Sequence, residues 1–164
     1  MIPYSDPSEP DHIFPWMNLT LIAVNFLVFF YELSLGTQGT GQLNSFVNHY
    51  GLVPCEYTSR CSVPSGTPHP FFLTLFSSMF MHAGWLHILG NMLYLFVFGD
   101  NIENSMGHFR YLIFYLACGL AASGLEIATA VGSQTPGLGA SGAIAGVLLA
   151  TDRYRPIKAQ TLPG

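Results

Sequence analysis

The sequence predicts an all-α, polytopic transmembrane helix bundle with four spans. Half of the 164 residues are apolar and only 9% are charged, where a typical soluble domain carries about 25% charged residues. Mean hydropathy is +0.40. The apolar residues also gather into runs at 16–35, 85–98, 109–131 and 139–151. That organisation reads as a short acidic, proline-rich N-terminus (1–15) followed by one transmembrane domain (16–164). So little charge excludes a disordered chain. Five Lys and Arg against nine Asp and Glu leave no basic field for a polyphosphate, so nucleic acid is not an expected partner. Three cysteines are too few for a disulfide scaffold and contain no CxxC pair for zinc.

The first run, Trp16 to Leu35, is WMNLTLIAVNFLVFFYELSL, about 30 Å of helix and so matched to a hydrocarbon core. Its polar members are Asn18, Asn25 and Glu32. No basic stretch precedes it, which argues against a cleaved signal peptide. The loop 36–70 is rich in Gly, Pro, Ser, Thr and Asn and holds Cys55, Arg60 and Cys61. A loop of that length is usually functional or carries short interfacial helices. The next apolar stretch, Phe71 to Gly99, would reach about 43 Å as one helix, too long for a bilayer core. His82-Ala83-Gly84 is the expected break, with Phe71–Met81 a lead-in and Trp85–Phe98 the body of the second span. GDNIENSMGHFR then reads as a polar connector to the third span.

The last apolar run is short. From Gly139 to Asp152 it yields only about 20 Å of helix, so it must begin part-way into the membrane, fed by a Gly- and Pro-rich segment. A helix that starts at mid-depth is a common way to build a site in a membrane. With four spans, Arg110 shares a side with Arg153, Arg155 and Lys158 while Arg60 lies opposite. The positive-inside rule then puts both ends of the chain in the cytoplasm, with the plasma membrane the expected location.

Three groups of residues carry possible chemistry. Ser141, in GASGAIAG, opens the short helix, where its hydroxyl lies beside unpaired backbone N–H donors able to hold a developing oxyanion. Gly142 and Gly146 in the same run form a GxxxG, which equally describes a close helix–helix seam. His87 and Asn91 lie about 40° apart on one helical face, whereas His82 and His87 are about 140° apart. Imidazole and carboxamide on one face suit a substrate carbonyl oxygen, or polar bonding between helices. No HExxH occurs, which argues against a metalloprotease. Glu103 and Arg110 flank the connector and read as holding that loop by hydrogen bonding and ion pairing. The spacing of Cys55 and Cys61 allows a bridge in an oxidising compartment or two free thiols. Cys118 reads as a packing residue and Glu126 as reaching the membrane interface.

Taken in order, MHAGWLHILGN, FGDNIENSMGHFR and GASGAIAG resemble the rhomboid family of intramembrane serine proteases. The resemblance implies Ser141 as nucleophile, in a motif with Gly139, Gly142 and Gly146. It implies that His87 and Asn91 form the oxyanion hole with the Ser141 N–H, that His82 lines the same cavity, and that Glu103 and Arg110 secure the connector. The loop 36–70 would be the long first extracytoplasmic loop. Transmembrane protein substrates and the lipid bilayer are the partners implied, with no metal and no cofactor. The oligomeric state is left open.

The chain departs from the family in one respect. Family members have six core helices, with the general-base histidine on the sixth, and no histidine follows His108 here. Serine is a weak nucleophile without an adjacent base. The expectation is a truncated protease, inactive as residues 1–164, with the Gly142/Gly146 face left without its partner. The alternative is a non-catalytic rhomboid-like protein that binds transmembrane helices.

Overall fold

A computed structural model describes residues 13–63, 67 and 72–153. His12, His69, Arg155 and Lys158 lie outside the described residues. The order is α1 (Trp16–Thr37), α2 (Thr40–Tyr50), α3 (Pro54–Tyr57), α4 (Leu73–Ser77), a 3-10 turn (Ser78–Phe80), α5 (Trp85–Met106), α6 (His108–Thr129) and α7 (Ser141–Arg153). Among the described residues the extended pairing is a single antiparallel bridge, Leu52 to Gly137.

The distribution of polarity is that of a membrane protein. Leu27, Phe96, Ile113, Leu125 and Leu149 are exposed and Leu86 is 91% exposed, while Asn18, Asn25, Glu32, His82, Asn91 and Glu103 are buried. Water would favour the reverse; hydrocarbon favours this arrangement, because polar groups must then find partners inside the bundle. The chain is a multi-pass integral membrane protein. α1 and α6 are each long and apolar enough to cross, and α4 with its 3-10 turn forms a third candidate with α5, bent by 93° at residues 81–84. α7 has only 13 residues, about 20 Å of helix. Among the described residues two helices, or three with the bent pair, thus meet the length and composition of a span, and the fourth expected span corresponds to α7, a shorter apolar helix.

The expected polar connector is corrected. α5 does not stop at Phe98 but runs to Met106, and Gly107 alone separates it from α6. Gly99 does not break the helix; its missing side chain admits Asn18 and Tyr111, which a Cβ would strike. Beyond it Ile102 and Glu103 are fully buried, so the polar sequence DNIENS hides a helical face packed against the start of α1. Gly107 adopts φ +81°, a conformation glycine tolerates, and the chain reverses there.

A buried polar node ties three helices together. Asn18 Nδ2 donates to the Leu95 carbonyl at 3.0 Å, and the Tyr111 hydroxyl donates to Asn18 Oδ1 at 2.8 Å. Asn18→Ala should destabilise the bundle by about 1–3 kcal/mol, the loss of two interhelical hydrogen bonds and a small cavity. Gly99→Val should cost more, because it drives α1 and α5 apart at the same point. Detergent-denaturation midpoints would show whether that order holds; equal stability of Gly99→Val and the parent would refute it.

The small-residue face of α7 has a partner, contrary to expectation. A Cβ on Gly142 would collide with Ala122, and one on Gly146 with Cys118. Residues 118 and 122 are themselves four apart on α6, so two stripes of small side chains meet and the backbones approach closely.

Candidate active site

The break between the 3-10 turn and α5 delivers His82 to the bundle interior. Its backbone N–H donates to Glu32 Oε2 of α1 at 3.1 Å, and its Nδ1–H donates to the Phe80 carbonyl at 3.3 Å. That leaves Nε2 as a buried lone pair without a partner. One and a half turns on, the His87 ring lies 5.1 Å from that of His82, edge to face. Asn91 follows on the same side, and its buried Nδ2 donor has no partner.

Gly139 joins this cluster to Ser141. It has φ +116°, and a Cβ built there would lie 2.7 Å from His87 Cε1 and Nε2 and 3.6 Å from Asn91 Nδ2. The Gly139 backbone therefore lies directly against the imidazole, held by its N–H to the Ser78 carbonyl at 2.9 Å. α7 starts two residues later, and its first helical bond runs from the Ile144 N–H to the Ala140 carbonyl at 2.9 Å. The N–H groups of Ser141 and Gly142 precede that bond and are not used by the helix. Ser141 itself is exposed.

A cleft of about 110 Å³ opens beside it, lined among others by Leu52, Ser78, Ser123, Glu126, Gly137 and Ser141. The structure thus brings His82, His87, Asn91 and Gly139 together, with Ser141 adjoining them and facing the cleft. His82, His87 and Asn91 do not line that cleft. Free N–H donors, an imidazole and a carboxamide around one glycine can hold a negatively charged oxygen. A hydroxyl next to them can act as nucleophile once a base takes its proton.

Glu103 and Arg110 belong to the other end of α5 and do not pair. Glu103 accepts from the Met17 and Asn18 N–H groups at 3.0 and 2.7 Å and from His108 Nδ1. Arg110 is exposed and takes no part in this cluster. The contact that secures the turn is the hydrogen bond between His108 Nδ1 and Glu103, whose carboxylate also reaches α1.

The segment between α6 and α7 is held from above by the loop after α2. Cys55 and Cys61 form a disulfide. Within that loop the Cys55 N–H donates to the Ser133 carbonyl at 3.0 Å, Thr58 Oγ1 donates to the Val131 carbonyl at 2.6 Å, and Leu52 exchanges two backbone bonds with Gly137. Two acidic residues of the site escaped the sequence reading. Glu32 could have been found as an ionisable group inside an apolar span, usually a mark of function. Glu126, expected to reach the membrane interface, also lines the Ser141 cleft, because the chain folds back over it at Gly137.

The rhomboid domain model matches residues 70–160. The chain belongs to the rhomboid family. Over 74 residues it is 40% identical to rhomboid protease GluP of Bacillus subtilis (strain 168), a match covering 45% of this chain and 14% of that protein. RHOMBOID-like protein 5 of Arabidopsis thaliana is 34% identical over 74 residues, 45% of this chain and 24% of the relative. The mitochondrial presenilin-associated rhomboid-like protein of Homo sapiens is 36% identical over 75 residues, 44% and 20% of the two chains. The matched stretch therefore spans no more than 24% of these curated rhomboid relatives. No solved structure matches the chain.

Proposed function

We propose that this rhomboid acts as an intramembrane serine endopeptidase on the transmembrane segments of other membrane proteins. The observation that carries the reading is the Gly139 backbone lying against His87, with Asn91 beside it and Ser141 two residues on. In this reading Ser141 Oγ attacks the scissile carbonyl, and the resulting oxyanion is held by the Ser141 N–H, His87 and Asn91. Collapse expels the amine and leaves an acyl-enzyme that water hydrolyses. Substrate helices with small or helix-breaking residues should be preferred, since the scissile bond must leave its helix to reach the serine. The base that rhomboid proteases use is a histidine on a later helix, and residues 109–164 contain none. The activity proposed is accordingly that of the full-length gene product, with its base contributed from outside residues 1–164. The Arg60-bearing loop and its disulfide are read as extracytoplasmic, both ends of the chain as cytoplasmic, and the membrane as the plasma membrane.

A non-catalytic rhomboid that binds transmembrane helices without cutting them is the second reading, consistent with the exposed apolar faces of α1, α5 and α6. The test reconstitutes the full-length product in liposomes with a single-span polypeptide carrying a helix-breaking segment. Cleavage and fluorophosphonate labelling are expected, both abolished in Ser141→Ala, with Asn91→Ala about 10–1000-fold slower. Binding of the polypeptide without labelling or cleavage would establish the second reading; cleavage that survives Ser141→Ala would refute the first.

A further inference from the structure

Glu126 is left unexplained by the chemistry above. It stands near the end of α6, half-buried, in the wall of the same cleft as Ser141. Its carboxylate lies over the Gly137 backbone so closely that a Cβ on Gly137 would collide with both oxygens. The bridge that fixes Gly137 to Leu52 therefore fixes the floor on which the carboxylate rests. The backbone carbonyl of Glu126 accepts from the Ala130 N–H and the Thr129 hydroxyl, but its side chain forms no hydrogen bond or ion pair among the described residues. The same wall holds the small or hydroxylic residues Gly119, Ala122, Ser123 and Gly142 together with the apolar side chains of Leu52, Met79 and Leu138, and Glu126 is its one charged residue among those described.

We propose that Glu126 is a specificity-determining residue whose carboxylate receives a lysine or arginine side chain of the substrate beside the scissile bond. The inference rests on the endopeptidase reading and names the class of substrate that the site selects. A carboxylate with no internal partner favours whatever cation the bound chain can bring, and it repels an acidic side chain at the same place. Partial burial makes both effects larger than at an open surface, where water screens them. Ser78 and Ser123 line the same cleft as the carboxylate and bring hydroxyl oxygens that an entering ammonium or guanidinium group can use. Basic residues are uncommon at the extracytoplasmic ends of transmembrane helices, so such a requirement would single out few proteins.

The experiment uses the full-length product in proteoliposomes and a set of single-span polypeptides that differ only in carrying Lys, Gln or Glu next to the scissile bond. For the parent, kcat/KM for Lys over Glu is expected to be at least about 10-fold. Glu126→Gln should bring that ratio below about 3-fold, Glu126→Asp should keep most of it, and Glu126→Lys should invert it. Each ratio is taken within one variant, so a general loss of folded protein does not imitate the effect. A parent without charge preference, or a preference undiminished in Glu126→Gln, would overturn the assignment while Ser141-dependent cleavage continued. Should no polypeptide be cut in a Ser141-dependent way, the endopeptidase reading falls, and this assignment falls with it.

Discussion

Gly139→Ala in the full-length protein is expected to slow Ser141-dependent cleavage by at least about 100-fold while leaving helix content unchanged, since a displacement near 1 Å at a reacting group is enough for such a loss. Two penalties coincide at this residue. At φ +116° any side chain strains the backbone by about 1–3 kcal/mol. The added Cβ would also lie 2.7 Å from the His87 ring, a separation no packed carbon tolerates. Either the imidazole moves away or the segment leading into α7 does. Both outcomes separate His87 from the Ser141 N–H, which the proposed chemistry needs around one oxygen. Gly146→Ala is the control, because its Cβ would meet Cys118 on α6 and so act on the α6–α7 seam away from the Ser141 cleft. Stability should fall in Gly146→Ala and activity in Gly139→Ala. Turnover in Gly139→Ala within about threefold of the parent, under the same measurement of kcat against KM, would show that close packing on His87 is not required.

Much of this architecture was legible in the sequence because it follows from length and local chemistry. A run of 29 residues from Phe71 to Gly99 is too long for one crossing, and the break falls at residues 81–84 as expected. α7 begins at Ser141, where the Gly- and Pro-rich run ends. What the sequence concealed depends on which elements meet. DNIENS looks like a connector until α1 is set against it, whereupon Ile102 and Glu103 become core residues. GxxxG says that a helix can be approached closely but does not name the partner, so Ala122 and Cys118 could not be foreseen. A helical wheel places His87 and Asn91 on one face without saying that Gly139 will occupy it. The spacing of Cys55 and Cys61 left their pairing open, and the structure joins them. Glu126 depends on the least local feature of all, a chain reversal that folds Gly137 over the carboxylate.

Glu103→Ala should destabilise the protein by about 2–5 kcal/mol, the cost of stranding the backbone donors that its carboxylate satisfies. α1 has no side-chain cap of its own, and Pro15 precedes its first turn. Glu103, 86 and 85 residues away, accepts the first-turn N–H groups of Met17 and Asn18 and also pairs with His108. A carboxylate at a helix N-terminus meets the positive end of the dipole as well as the orphan donors, so the two effects reinforce each other. Glu103→Gln can accept one N–H but must turn its NH₂ toward another donor, and should lose about half as much. His108→Ala removes one partner, leaves the cap in place, and should cost about 1 kcal/mol. The consequence reaches the site, because α1 also carries Glu32, whose carboxylate accepts the His82 N–H at the far end of the helix. α1 is thus fastened to the α5 segment at both ends, by Glu103 below and by His82 above. Loosening the lower fastening lets α1 shift, and Glu32 with it. Activity in Glu103→Ala should therefore fall at temperatures where the protein is still folded, and Glu103→Gln should lie between it and the parent. Detergent-denaturation midpoints and cleavage rates measured on the same preparations would decide it: a Glu103→Ala protein within 1 kcal/mol of the parent would mean that Met17 and Asn18 do not depend on this carboxylate.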